Sequence, residues 1–262
     1  VLVSSSDASY AGRAVAPIDL TNVDNDSAGI VVSAVDVTSS EQGAGQADVT
    51  YVLTSQPTAD VVLAVVSSDT TEGTVSTSTL TFTSANWNAP QHVLVTGQDD
   101  AVADGDFPYQ LQVTGVTSSD ANYDGLVVAP VDFTNVDDDT AGITRVVVDS
   151  NSGEAGAGTA DVSYVLNSEP TADVTLTVAS SDATEGVPSV TTLTFTSSNW
   201  NAPQHVLVTG QDDALADGNV AYTLDVTSVA SADLGYNGQG VAQANLANVD
   251  DDSVGSPRAK VV

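Results

Sequence analysis

The chain has 262 residues, and its 35 Asp and Glu against four Lys and Arg give a formal net charge of -31. That imbalance argues against nucleic acid and anionic membrane surfaces as partners, because both would repel it. No cysteine is present, which excludes disulfides, thiolate zinc sites and cysteine nucleophiles, and no apolar run approaches the roughly 20 residues of a membrane span.

Apolar residues still make up 41% of the chain, enough for a core, and they fall in short alternating segments that predict β-strands throughout. From the start, Ser-Asp-Ala-Ser-Tyr ending at Tyr10 matches Ser-Asp-Ala-Asn-Tyr ending at Tyr123 and a variant ending at Tyr236. Residues 1–27 therefore read as the end of a preceding repeat. The next segments predict strands at 30–37, 48–53, 61–66, 79–83, 92–96, 109–113 and 127–133, about seven strands in one unit, the size of a two-sheet sandwich. The sixteen residues from Asn86, Asn-Trp-Asn-Ala-Pro-Gln-His-Val-Leu-Val-Thr-Gly-Gln-Asp-Asp-Ala, recur unchanged from Asn199. This offset of 113 (200 minus 87 for the two Trp) defines two complete units, residues 28–140 and 141–253. A tail, residues 254–262, carries Arg258 and Lys260. With no Met anywhere, the chain is expected to be a segment of a longer exported protein.

The acids gather at predicted strand ends: Glu41-Gln42-Gly43, Ser68-Asp69, Gln98-Asp99-Asp100, Asp104-Gly105 and Asp137-Asp138-Asp139. Their copies are Glu154, Asp182, Asp212, Asp213, Asp217, Asp250, Asp251 and Asp252. One such cluster is an ordinary solvated turn, since Asp and Gly favour turns. Five in register are another matter, because the loops of a sandwich collect at its two ends. Carboxylates brought together there repel by roughly 3 kcal/mol per pair at ~5 Å and an effective dielectric of ~20. A divalent cation that takes oxygen ligands only, such as Ca2+, would relieve this.

Glu41-Gln42-Gly43 early in the unit, Asp99-Asp100 after a Val-rich strand, and the junction Asp137-Asp138-Asp139-Thr140-Ala141-Gly142-Ile143 together resemble the Calx-beta domain pattern. The resemblance covers nearly the whole chain. It implies an all-β fold of tandem immunoglobulin-like antiparallel β-sandwich domains, with Ca2+ bound at one sandwich end beside the following domain. The ligands it implies are Glu41, Asp69, Asp99, Asp100, Asp137, Asp138 and Asp139, with Glu154, Asp182, Asp212, Asp213, Asp250, Asp251 and Asp252 in the second unit. The family's acid-rich run after the Asp-Asp pair is interrupted here by Ala101-Val102-Ala103, which leaves Asp104, and Asp217 in the second unit, to extend the set. In the upstream junction Asn25 stands in place of the middle Asp.

The expected role is a non-enzymatic, calcium-rigidified spacer in a long extracellular or cell-surface protein of bacterial type, partnered by its own neighbouring repeats and able to self-associate into fibres. Two alternatives follow from the same sequence: residues 1–27 donating a strand to another molecule's sandwich, or an adhesion module that binds a carbohydrate or surface. His92 and His205 stand alone in their units and read as half-exposed strand residues. Tyr123 and Tyr236 read as corner residues with buried rings and bonded hydroxyls.

Overall fold

In the computed structural model, which describes residues 1–42, 45–155 and 158–253, the alternating segments form strands on both sides of two apolar cores. The first unit holds β1 (Ile30–Ala34), β2 (Thr38–Ser40), β3 (Gln46–Leu53), β4 (Val61–Ser67), β5 (Gly73–Val75), β6 (Thr79–Phe82), β7 (Gln91–Gly97), β8 (Phe107–Ser118) and β9 (Val131–Val136). They build one sheet of order β1-β3-β7-β5 and a second of order β2-β9-β8-β4-β6. The second unit repeats this with β10 (Ile143–Asp149), β11 (Asn151–Gly153), β12 (Thr159–Leu166), β13 (Val174–Ser180), β14 (Gly186–Pro188), β15 (Thr192–Phe195), β16 (Gln204–Gly210), β17 (Val220–Ala230) and β18 (Ala244–Val249). Its sheets run β10-β12-β16-β14 and β11-β18-β17-β13-β15.

The period of two explains the packing. On β3, Ala47, Val49, Tyr51 and Leu53 face inward and are buried; on β4 the inward set is Val61, Leu63 and Val65. A one-residue slip would expose all of them, so the pattern itself fixes the register. Phe82, Val93, Val95, Leu111 and Phe133 close the first core, and Tyr109 stacks on Phe133 at 5.5 Å.

The structure adds β5, which no expected segment covers, and departs from the expected strands in two other places. The segment expected at 30–37 ends at Ala34 and is followed by the separate three-residue β2; the segment expected at 127–133 is shifted to β9. β2 pairs with β9 in parallel, Ser39 opposite Asn135, and β11 does the same with β18, so each five-stranded sheet is mixed rather than purely antiparallel. A strand as short as Thr-Ser-Ser has no alternation to read. Gly43 and the tail with Arg258 and Lys260 lie outside the described residues.

At the opposite end of each sandwich, Tyr123 is buried and its hydroxyl donates to the Ser55 carbonyl (2.6 Å) while accepting from Ser55 N–H (3.2 Å). Tyr236 does the same with Ser168 (2.7 and 3.1 Å). Tyr123→Phe leaves both Ser55 backbone groups without that partner, and is expected to lower the first unit's stability in urea unfolding by about 1–2 kcal/mol. A change below about 0.3 kcal/mol would mean that water replaces the hydroxyl at no cost.

Residues 1–27 make a turn closed by the Leu2–Ala14 bridge, after which residues 15–29 join no strand. Residues 18–23 (Ile-Asp-Leu-Thr-Asn-Val) correspond in sequence to β9, yet Ile18, Leu20 and Val23 are exposed.

Candidate functional site: an acid cluster at one end of each sandwich

The parallel β2–β9 pair is the element that assembles the cluster. It sets Ser40 beside Val136, so the next residue, Glu41, reaches the end of β9, where its N–H donates to the Val136 carbonyl (3.1 Å) just before Asp137. The β7 strand ends on the same side and delivers Gln98, Asp99 and Asp100. Glu41, Asp100 and Asp139 consequently offer carboxylate oxygens that all lie within 4.8 Å of one another; Glu154, Asp213 and Asp252 repeat the trio in the second unit.

Backbone donors fix the surrounding acids. Asp100 accepts from Val102 N–H (2.7 Å), and Asp137 accepts from Gly105 N–H (2.7 Å) with one oxygen and from Asp139 N–H (2.7 Å) with the other. Gly105 takes a positive φ of 84° in that turn, a conformation a side chain would disfavour. In the second unit Asp213, Gly218, Asp250 and Asp252 make the same contacts. Asp99, Asp138, Asp212 and Asp251 stand beside the trios rather than in them.

Two acids of each unit take distinct places at the cluster's edge. Asp69 and Asp182 are each held in a turn by the Thr two residues on, whose hydroxyl and N–H both donate to the carboxylate (2.6 and 2.9 Å), and this lowers both acids below the usual carboxylate range. Glu72 and Glu185, three residues on, instead turn toward the cluster, where each accepts from a buried Asn. The chain holds Glu only at 41, 72, 154, 169 and 185; the Glu-Gly pair at 72–73 and again at 185–186 was the available signal.

The cluster's electrostatics are those of an anion cage. Burial, then the charges of Asp100, Asp137, Asp104 and Glu72, push Glu41 up to about 7. Burial and the adjoining acids also raise Glu72, Asp104 and Asp139, and in the second unit Glu154 and Asp252. Among the described residues no Lys or Arg pairs with an acid; the His92 and His205 ring nitrogens hydrogen-bond Asp48 and Asp161, both at 2.8 Å and on an outer sheet face. Glu41 Oε2 and Glu154 Oε2 are buried with no hydrogen-bond donor. An orphaned carboxylate oxygen in a core rim is costly, and an all-oxygen donor set of this kind fits Ca2+.

The loop after Asp100 also meets the second unit, where Glu169 N–H donates to the Ala101 carbonyl (2.5 Å). Among the described residues no helix is long and apolar enough to cross a membrane.

No protein-family model matches the chain, and no curated protein does. Similar solved structures include CBD12 from CALX1.2, at 13% identity over 81% of this chain and 96% of that one, TM-score 0.36. The calcium binding domain CBD12 of CALX1.1 is similar at 14% identity over 84% and 99%, TM-score 0.36. The Yersinia pseudotuberculosis adhesin InvE is similar at 15% identity over 87% of this chain and 61% of that one, TM-score 0.33.

Proposed function

We propose that each unit binds Ca2+ at its acid cluster and that the bound ion stiffens the junction to the next unit, making the chain a spacer in a long extracellular or surface protein. The observation that carries this reading is the pair of buried, donorless oxygens, Glu41 Oε2 and Glu154 Oε2, each on a glutamate that has a carboxylate oxygen within 4.8 Å of two other acids. Glu41, Glu72, Asp100, Asp104, Asp137 and Asp139 would hold the cation in the first unit. Glu154, Glu185, Asp213, Asp217, Asp250 and Asp252 would do so in the second.

Asp137 and Asp139 serve both sides, since they close the first sandwich and lead within a few residues into β10. A cation that draws them onto Glu41 and Asp100 shortens and fixes this linker. Without it, like charges in the linker push the units apart. At the millimolar calcium found outside cells, sites as weak as ~10⁻⁴ to 10⁻³ M are filled.

The test is thermal unfolding in EDTA and across a calcium titration, with magnesium as the control. Calcium at 100 times Kd is expected to stabilise each site by about 2.7 kcal/mol, and a chain with Asp137, Asp138 and Asp139 all changed to Asn is expected to lose the first unit's share. No shift at about 10 mM calcium would end this reading.

A second reading rests on residues 18–23, whose apolar side chains are exposed in the register of a final strand. It assigns them to strand donation between molecules. Sedimentation of the full chain against residues 28–262 distinguishes it: concentration-dependent polymers of the full chain alone support donation, whereas monomers of both exclude it.

A further inference from the structure

The inward face of β9 carries Phe133 and then Asn135, an amide where the alternation calls for an apolar side chain. Asn135 is completely buried. Its Nδ2 donates to Glu41 Oε1 (3.2 Å), Glu72 Oε2 (3.4 Å) and the Gln98 carbonyl (2.9 Å), while its Oδ1 accepts from Ser39 Oγ (2.9 Å). Ser39 Oγ in turn bonds the Tyr109 hydroxyl (2.8 Å). The amide nitrogen has two hydrogens for three acceptors, so a hydrogen is shared. The amide cannot be reversed, because ionised carboxylates and a carbonyl only accept.

The second unit builds the same arrangement. Asn248 Nδ2 donates to Glu154 Oε1 (3.3 Å), Glu185 Oε2 (3.3 Å) and the Gln211 carbonyl (2.8 Å); its Oδ1 accepts from Ser152 Oγ (3.2 Å), which bonds Tyr222 Oη (2.9 Å). Its neighbours differ: Leu246 stands for Phe133, and Val220-Ala221 for Phe107-Pro108. The network persists while the packing around it changes.

We infer that Asn135 and Asn248 are the positioning residues of the two sites: each occupies one oxygen of both glutamates and thereby leaves the other glutamate oxygen, Oε2 of Glu41 or Glu154, to the cation. This rests on the calcium reading above. It gives a physical reason for a buried amide in the core, since a polar side chain there is tolerated only when every group is paired. An apolar residue would fill the space but leave Glu41, Glu72 and the Gln98 carbonyl without a donor. Ser39 and Tyr109 act one step further out by holding the amide's orientation.

Outer partners that orient a metal's ligands typically change affinity about 10- to 100-fold when removed. The experiment is isothermal titration of calcium chloride into the EDTA-stripped full chain at low temperature, for wild type, Asn135→Leu and Ser39→Ala, with the second unit as internal reference. Asn135→Leu is expected to weaken the first unit's binding about 10- to 100-fold and leave the second unit's unchanged. Ser39→Ala, which frees the amide without removing it, is expected to weaken it about 10-fold, the low end of that range. If Asn135→Leu unfolds the first unit in EDTA, by circular dichroism, Ser39→Ala decides. A purely structural role would lower the melting temperature in EDTA but leave the calcium Kd of the folded Ser39→Ala chain within twofold of wild type, and that result overturns the inference. Wild type that binds no calcium overturns the reading beneath it instead.

Discussion

A chain carrying Glu41→Gln and Glu154→Gln is expected to melt above wild type in EDTA at pH 7.5 and below it in 10 mM calcium. Glu41 titrates near 7 because burial and then four neighbouring acids disfavour its charge. A carboxyl raised in the folded state contributes its full stability below the ordinary glutamate range and loses it as pH climbs through about 7. Wild type in EDTA is therefore more stable at pH 5 than at pH 7.5. Glu72, Asp104, Asp139 and Glu154 are raised as well and act in the same direction. Asp36, Asp69, Asp120, Asp182 and Asp233 are lowered, and their contribution disappears only at more acid pH. Between about 4.5 and 7 the raised group governs.

Glu41→Gln keeps an Oε1 to accept from Asn135 while removing the charge. The double variant is expected to gain about 5 °C in EDTA at pH 7.5 and to flatten the profile between pH 5 and 7.5. In calcium it loses a ligand in each trio, and with it the ~2.7 kcal/mol that 100 times Kd supplies. The crossing of the two curves is the diagnostic. Variants that melt below wild type in both solutions would show that Glu41 supports the fold rather than a cation.

Much of this was open in the amino-acid sequence. Alternation located the long strands, and the 113-residue repeat tied each acid to a counterpart, so Glu41, Asp100 and Asp139 were among the strand-end acids expected to converge before any coordinates. Three features were hidden for distinct reasons. The β2 strand is three polar residues without a period, so its parallel pairing, which carries Glu41 to the end of β9, had no signal. Glu72 was masked by Asp69, the acid next to a strand end; only the coordinates show the Glu72 carboxylate accepting from the buried Asn135. Asn135 carried no signal of its own, because its burial depends on register, which a six-residue strand with a polar half does not declare.

The glycine at the end of β7 leaves no room for a single methyl group. A Cβ on Gly97 would lie 2.5 Å from the Ser40 carbonyl oxygen and 2.6 Å from Asn135 Oδ1. One of these is backbone of the β2 strand and the other is the anchored end of the buried amide, so neither can retreat without breaking the contacts that build the cluster. Gly97→Ala is expected to cost about 3 kcal/mol in urea unfolding in EDTA, the upper range for overpacking a core, and to abolish calcium binding in the first unit while sparing the second. Gly210→Ala does the converse, since its Cβ would meet Asn248 Oδ1 and the Gly153 carbonyl.

Gly115→Ala is the control. A Cβ there meets nothing within 4 Å, and the second unit already carries a side chain, Ser228, at the matching place. Its effect is expected to stay below about 1 kcal/mol. A Gly97→Ala chain that matched Gly115→Ala in both stability and calcium affinity would mean that β2 and β7 can separate at no cost. In that case the close approach of the two sheets would not be what holds Asn135, Glu41 and Glu72 in place.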